Sequence, residues 1–195
     1  MELIFVRHAQ PVLVELGEAA ADPQLSTQGV EQAEAVAHWL SGERIDAIVH
    51  SPARRTAETA AAIARELGLT PTVDHGFLEF NAGDHDYLTV EEMKARNDPR
   101  FDVVARGELY GVDAEAYQDG LVTAAERQIS AHPGGKVVVV SHAGAINCYF
   151  ARVADVAKMI WIPPAFASIS RIGARRDGRR GIISINETGH LRGLL

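Results

Sequence analysis

Three places in this sequence set arginine or histidine directly after an apolar run. Arg7-His8 follows Leu3–Val6, Arg54-Arg55 lies just beyond Ile45–His50, and Ser141-His142 follows the four valines Val137–Val140. Short runs rich in valine and isoleucine, bounded by turn residues, read as buried strands. Core strands have no need of arginine or histidine at their ends, but ligands of open α/β sheets bind just beyond the carboxyl ends of the strands. Three such ends pointing the same way would build one cationic pocket, and its ligand would be an anion.

The charge of the whole chain makes a local pocket necessary. A formal net charge of −7 over 195 residues repels anions in general, so any anionic substrate needs clustered cations and N–H donors. The same charge argues against non-specific binding to nucleic acid or to an anionic membrane. Length and composition suit one domain spanning 1–195, with 47% hydrophobic and 23% charged residues giving ordinary globular chemistry. No apolar run is long enough to cross a bilayer. The N-terminus, with Glu2 and Arg7 around a short apolar run, makes a poor signal peptide. Cys148 is the only cysteine, which excludes an intrachain disulfide and suits a cytoplasmic location.

Strands alternate with helices over most of the chain, which predicts an α/β sandwich on a mainly parallel sheet. After the first strand, Ser26 or Thr27 caps a helix with Val30, Ala33, Ala37 and Leu40 on its apolar stripe. Ser51 as N-cap and Pro52 as first helical residue begin a second helix, whose stripe Ala57, Ala60, Ile63, Ala64 and Leu67 ends at Gly68. Pro71–Val73 reads as a short strand, Phe77–Tyr87 as an irregular polar loop, and Thr89-Val90-Glu91-Glu92 as a capping box opening a short helix. The stretch 98–111 has no clear pattern. Asp113 starts a long helix to about Ala131, and a helix follows His142 to about Val153. Ser168–Ala174 and Gly181–Asn186 form two late strands joined by an Asp177-Gly178 turn.

Five ordered motifs also carry a family resemblance. Leu3–Ala9 (Leu-Ile-Phe-Val-Arg-His-Ala) resembles the signature of the histidine phosphatase superfamily, the phosphoglycerate mutase-like group. Leu25–Ala33 is similar to the next helix start of that family, Ser51–Ala60 to its second arginine motif, Leu78–Gly83 to its acid loop, and Val139–Gly144 to its second histidine motif. Asn186–Leu191 resembles its closing strand. The resemblance implies a three-layer α/β/α sandwich, phosphoglycerate mutase-like, with a mainly parallel central sheet.

It also implies roles. His8 would be the nucleophile and carry a phosphohistidine, splitting one difficult transfer into two easier ones. Arg7 and Arg55 would hold phosphoryl oxygens, since the planar guanidinium gives bidentate, permanently charged contact. Periodicity does not choose between Arg54 and Arg55; the family spacing picks Arg55. His142, protonated when phosphate is bound, and the backbone N–H of Ala143 at a helix start would donate further hydrogen bonds. Glu79 would protonate the leaving oxygen and then activate water, a role that calls for a raised pKa. Four such donors could replace a metal ion, so the expectation is a metal-independent histidine acid phosphatase-type phosphomonoesterase with no cofactor, acting on a small phosphorylated substrate.

Other reactive residue types have plainer readings. Asp84-His85-Asp86 reads as an exposed polar loop with no further metal ligands to complete a set. His38, His50, His75, His132 and His190 read as structural or surface residues, Arg171–Arg180 as a solvated hairpin rim, and Cys148 as packed. Three departures from the mutases favour hydrolysis: Val14 where many carry asparagine, Ala143-Gly144 in place of Gly-Asn, and a short stretch between Glu79 and His142. The alternatives are a phosphoglycerate mutase, which is an isomerase, and a catalytically weak phospho-ligand binding protein. Selectivity would come from the Gln10–Leu25 loop and the 77–111 region. Oligomeric state is not encoded in any of these features.

Overall fold

The computed structural model describes every residue except Leu16 and Glu18, and only the backbone of Glu91. Its frame is a six-stranded sheet in the order β3-β2-β4-β1-β5-β6. The strands are β1 (Glu2–Arg7), β2 (Ala47–His50), β3 (Thr72–Val73), β4 (Lys136–Ser141), β5 (Ile169–Ala174) and β6 (Arg180–Glu187). β1, β2, β3 and β4 pair in parallel, while β5 and β6 add an antiparallel edge. The main helices are α1 (Thr27–Leu40), α2 (Arg54–Leu67), α3 (Val90–Ala95), α4 (Pro99–Ala105), α5 (Ala114–Ala131) and α6 (Ala143–Ala154).

The period-two alternation of strand side chains divides the core into two. Ile4 and Val6 of β1, with Val138 and Val140 of β4, meet Val36, Leu40 and Ile63 from α1 and α2. Leu3 and Phe5, with Val137 and Val139, meet Leu121, Ile146 and Phe150 from α5 and α6 on the other face. Phe5 stacks edge-on against Phe77 and Phe150, at centroid separations of 6.2 and 5.6 Å. Strands buried on both faces explain why the valine run shows no alternation in sequence. The result is the three-layer α/β/α sandwich with a mainly parallel sheet.

Several local expectations need correction. Val30 is half exposed; α1 buries Gly29, Gln32, Ala33, Val36, Ala37 and Leu40, capped by Ser26, whose hydroxyl accepts from Gly29 N–H at 3.0 Å. Gly29 is buried because α1 presses on the chain leaving β1, where a Cβ would overlap the Gln10 carbonyl. Ser51 does not cap α2: Ala53 occupies the N-cap, and Asp22 from the preceding loop accepts from Arg54 N–H at 2.8 Å. The patternless stretch holds α4, started by Asp98, whose side chain accepts from Arg100 N–H. Arg171 is not solvated either. It is partly buried among Glu2, Glu43 and Glu187 at 2.7–3.0 Å, and Arg180 pairs with Glu126 at 2.5 Å. Arg175 and Arg179 remain on the exposed rim with Asp177.

Candidate active site

Arg7 pairs with Ser141 in the β1–β4 register, so the next residues, His8 and His142, leave the sheet side by side. Their rings lie 5.2 Å apart. The turn that carries His8 has its backbone groups satisfied, as buried polar groups require. His8 N–H donates to Ser141 O at 2.8 Å, Ala9 N–H to Thr59 Oγ1 at 3.1 Å, and Gln10 N–H to Gln32 Oε1 at 3.0 Å. Ala167 N–H donates to the His8 carbonyl at 3.3 Å and Ser26 N–H to that of Gln10 at 2.9 Å. Two helices and a loop therefore fix the position of this one residue.

The His8 ring is almost fully buried, with Nδ1 2.9 Å from the Ala9 carbonyl. A carbonyl can only accept, so Nδ1 carries the proton and Nε2 keeps its lone pair. Burial, followed by the charges of Arg55, His142 and Arg7, holds the His8 pKa well below its ordinary 6.5. His142 is lowered in the same way by burial, Arg55 and Arg7. Both rings are neutral near pH 7 in this arrangement. His142 lies behind the cavity wall, with Nε2 2.6 Å from Ser51 Oγ and a buried Nδ1 that has no hydrogen-bond partner among the described residues.

Arg7 and Arg55 reach the same cavity from β1 and α2. Arg7 lies 3.7 Å above the Phe166 ring and donates to Pro164 O at 2.6 Å. Arg55 is 4% exposed, stands 4.9 Å from the Tyr87 ring, and has its nearest carboxylate, Asp22, at 3.8 Å. Arg54 points outward to Glu58 and Gln24. Geometry thus separates the two arginines that helical periodicity left open.

Glu79 meets the N-terminus of α6. Its carboxylate accepts from Gly144 N–H at 3.0 Å, Ala145 N–H at 3.1 Å and Phe80 N–H at 3.2 Å. These donors and the two arginines favour the ionised form, but burial outweighs them and raises the Glu79 pKa above 4.5. Gly144 permits the approach: a Cβ there would overlap Glu79 Oε1 and come within 2.7 Å of the Phe80 ring. The helix start is therefore shared, with Gly144 and Ala145 serving Glu79 and Ala143 lining the cavity.

The cavity holds about 540 Å³ and gathers Arg7, His8, Arg55, Glu79 and Ala143. Sequence reasoning gave no site role to Thr59 or Tyr87, read Ser51 only as a helix cap, and read Gly144 only as a departure from the mutases. Thr56 and Thr59 did leave a signal as polar positions on the buried face of α2. Tyr87 is brought in by its backbone pairing with Val14, at 2.9 and 3.3 Å, so Val14 serves as a loop anchor. No described residue of the 10–25 loop lines the cavity, and Leu16 and Glu18 lie outside the described residues; 158–164 lines it instead. Among the described residues no three His, Cys, Asp or Glu side chains gather as a metal-ligand set; Asp84 and Asp86 pair with Arg100. Cys148 is buried, its thiol pushed up to about 12.

An α/β/α sandwich with a buried cationic pocket at the carboxyl ends of adjacent parallel strands defines a class of anion-handling enzymes. The chain belongs to the histidine phosphatase superfamily (branch 1), whose sequence profile matches residues 3–188. It is 29% identical to phosphoserine phosphatase 1 of Hydrogenobacter thermophilus over 98% of this chain and 94% of that protein. It is 30% identical to phosphoglycerate mutase-like protein 4 of Arabidopsis thaliana over 80% of this chain and 75% of the other. A phosphoserine phosphatase of Entamoeba histolytica, solved with phosphoserine, shares the fold with a TM-score of 0.78 at 22% identity, covering 97% of this chain and 98% of that one. No described helix is long and apolar enough to cross a membrane.

Proposed function

We propose that the protein is a metal-independent phosphatase that hydrolyses a small phosphomonoester through a phosphohistidine on His8. The observation that carries this reading is the His8 tautomer. The Ala9 carbonyl takes the Nδ1 proton, leaving an Nε2 lone pair on a ring that lines the same cavity as Arg7, Arg55 and Glu79. In the first step Nε2 attacks phosphorus and the bond from phosphorus to the ester oxygen breaks. The leaving oxygen takes the Glu79 proton and departs as the alcohol. In the second step water attacks phosphorus, the P–Nε2 bond breaks, and the water proton returns to the Glu79 carboxylate.

Arg7, Arg55 and the Ala143 N–H stabilise the transferring group from the cavity wall, and His142 stands behind them. Phosphoryl transfer depends chiefly on positioning and charge stabilisation, so donors of this kind can carry it. An incoming dianion favours the imidazolium of His142, opposing the two arginines that keep it neutral. Hydrolysis is favoured over mutase chemistry by Glu79 and Gly144. A side chain at position 144, such as the asparagine typical of the mutases, would displace the Glu79 carboxylate.

The test is phosphate release from a panel of monoesters in EDTA, with His8→Ala as control. The names of two relatives place phosphoserine in that panel, and 3-phosphoglycerate belongs there for its mutase arm. EDTA-resistant release that disappears in His8→Ala supports the reading. Isomerisation of 3-phosphoglycerate faster than phosphate release would overturn it in favour of a mutase.

A further inference from the structure

The two ends of the cavity differ in chemistry. Arg7, His8, Arg55 and Ala143 occupy the inner end. The rest of the wall is largely apolar, made by Leu88, Val90 and Met93 on one side, Val104 of α4, and Ile160 and Trp161. Apart from Lys158, the polar side chains of this outer part make hydrogen bonds within the protein. Asn81 donates to Tyr110 Oη at 2.8 Å and Tyr110 donates to Asp84 at 3.1 Å. Asn147 donates to the Ala143 and Ile162 carbonyls and accepts from Trp161 and Ile162 N–H, all at 2.7–2.9 Å. The Thr89 hydroxyl caps α3.

Charge is equally sparse there. Among the described residues, exposed Lys158 is the only cation the outer wall supplies, and Glu79 is the only acid of the lining. Glu79 already accepts from three N–H groups. A substrate ammonium would lose its water without gaining a free carboxylate from any described residue, which opposes binding. An apolar group would gain from burial, and 540 Å³ lies within the roughly 300–1,000 Å³ of small-molecule sites.

We infer that the leaving-group part of the site selects monoesters of apolar alcohols or phenols and disfavours zwitterionic ones of the phosphoserine type. The inference rests on the inner end being the phosphoryl site. It assigns specificity to Val104, Met93 and Trp161, none of which touches the transferring group.

Binding of non-hydrolysable phosphonates separates this inference from the catalytic reading. The dissociation constants of methyl-, butyl- and hexylphosphonate, and of the phosphonate analogue of phosphoserine, are measured by calorimetry on the wild-type protein. Affinity is expected to rise roughly twofold to fourfold per added methylene, the upper figure being full burial. The zwitterionic analogue is expected to bind more weakly than butylphosphonate. Val104→Asn should flatten the chain-length slope, a ratio that does not depend on how much protein is folded.

A flat series, or a zwitterionic analogue that binds as tightly as butylphosphonate or more so, would overturn the inference. Matching alkyl phosphates are assayed in parallel for phosphate release. Affinity that climbs with chain length while no ester is hydrolysed upholds the apolar wall and removes the phosphatase reading instead.

Discussion

The Ala9 carbonyl fixes the Nδ1 proton of His8, while burial and three cationic or ionisable neighbours keep a second proton off the ring. Glu79 is shifted the other way, held toward its protonated form by burial. The two groups therefore have the opposite protonation states that a nucleophile and a general acid require. A plot of kcat/KM against pH should be bell-shaped. Its acid limb, below pH 6.5, reports loss of the His8 lone pair, and its alkaline limb reports loss of the Glu79 proton. In Glu79→Gln the alkaline limb should vanish, and alkyl ester turnover should fall by about 10²–10⁴-fold. A nitrophenyl ester, whose leaving group needs no proton, should lose much less in the first step. For the arginines, Arg55→Ala should cost roughly 10–150-fold in kcat/KM, the worth of a charge-assisted hydrogen bond. Arg54→Ala, which removes only exposed contacts with Glu58 and Gln24, should change it little. Residue types and motif spacing made His8, Arg7, His142 and Glu79 legible in the sequence. They could not show that Ser51 meets His142 and does not cap α2, because a serine before Pro52 fits both readings equally well.

Elements place these residues by close approach at two glycines, Gly29 against the Gln10 carbonyl and Gly144 against Glu79. At the start of α6, Gly144 lets the Glu79 carboxylate reach two helical N–H groups. Gly144→Ala should push Glu79 aside and lower kcat for alkyl esters much as Glu79→Gln does. It should leave inhibition by inorganic phosphate nearly intact, because Arg7 and Arg55 do not depend on it; measuring both constants separates displacement from general damage. The outer wall has its own fastening, in which Arg100 joins Asp86 and Asp98 at 2.6 and 2.7 Å and Asp84 at 3.2 Å. This ties α4 to the loop that carries Tyr87. Arg100→Ala should raise KM more than it lowers kcat, as steady-state kinetics would show. Strands and long helices were readable because burial imposes a period on them. The 158–164 wall was not, because an irregular segment such as Ile160–Pro164 follows no period and is placed by bonds such as Trp161 N–H to Asn147 Oδ1 at 2.9 Å. The 10–25 loop, expected to set selectivity, instead pairs Val14 with Tyr87 and Pro11 with Leu25.

Across the whole molecule, the sheet converts pairing register into a site. Parallel β1 and β4 end in register at Arg7 and Ser141, so His8 and His142 leave the sheet side by side. The same burial carries a cost in acid. Unfolded histidine takes up a proton near pH 6.5, whereas folded His8 and His142 resist it to well below that value. The unfolded chain therefore binds more protons in that window, and these two groups make stability fall as pH drops below 6.5. Denaturant unfolding at pH 7.5 and pH 5.5 should show the loss, and His8→Ala should lose less between the two. The aromatic cluster around Phe5 is independent of this effect. Phe5→Ala should cost about 3–5 kcal/mol at either pH, measured in the same titrations. The alternation of strands and helices made the three-layer architecture legible, together with the doubly buried β4. Long-range ion pairing was not, and Arg171, which joins Glu2, Glu43 and Glu187 across three segments, reads locally as an ordinary hairpin arginine.

Covalent transfer to His8 is tested most directly by trapping the intermediate. The protein is mixed with ³²P-labelled nitrophenyl phosphate, whose leaving group needs no proton from Glu79, quenched within milliseconds in alkali, and mapped by peptide. The account predicts acid-labile, alkali-stable label on the peptide containing His8, with none in His8→Ala. Steady hydrolysis with no label on that peptide in a Glu79→Gln background, where dephosphorylation is slowed, would contradict it.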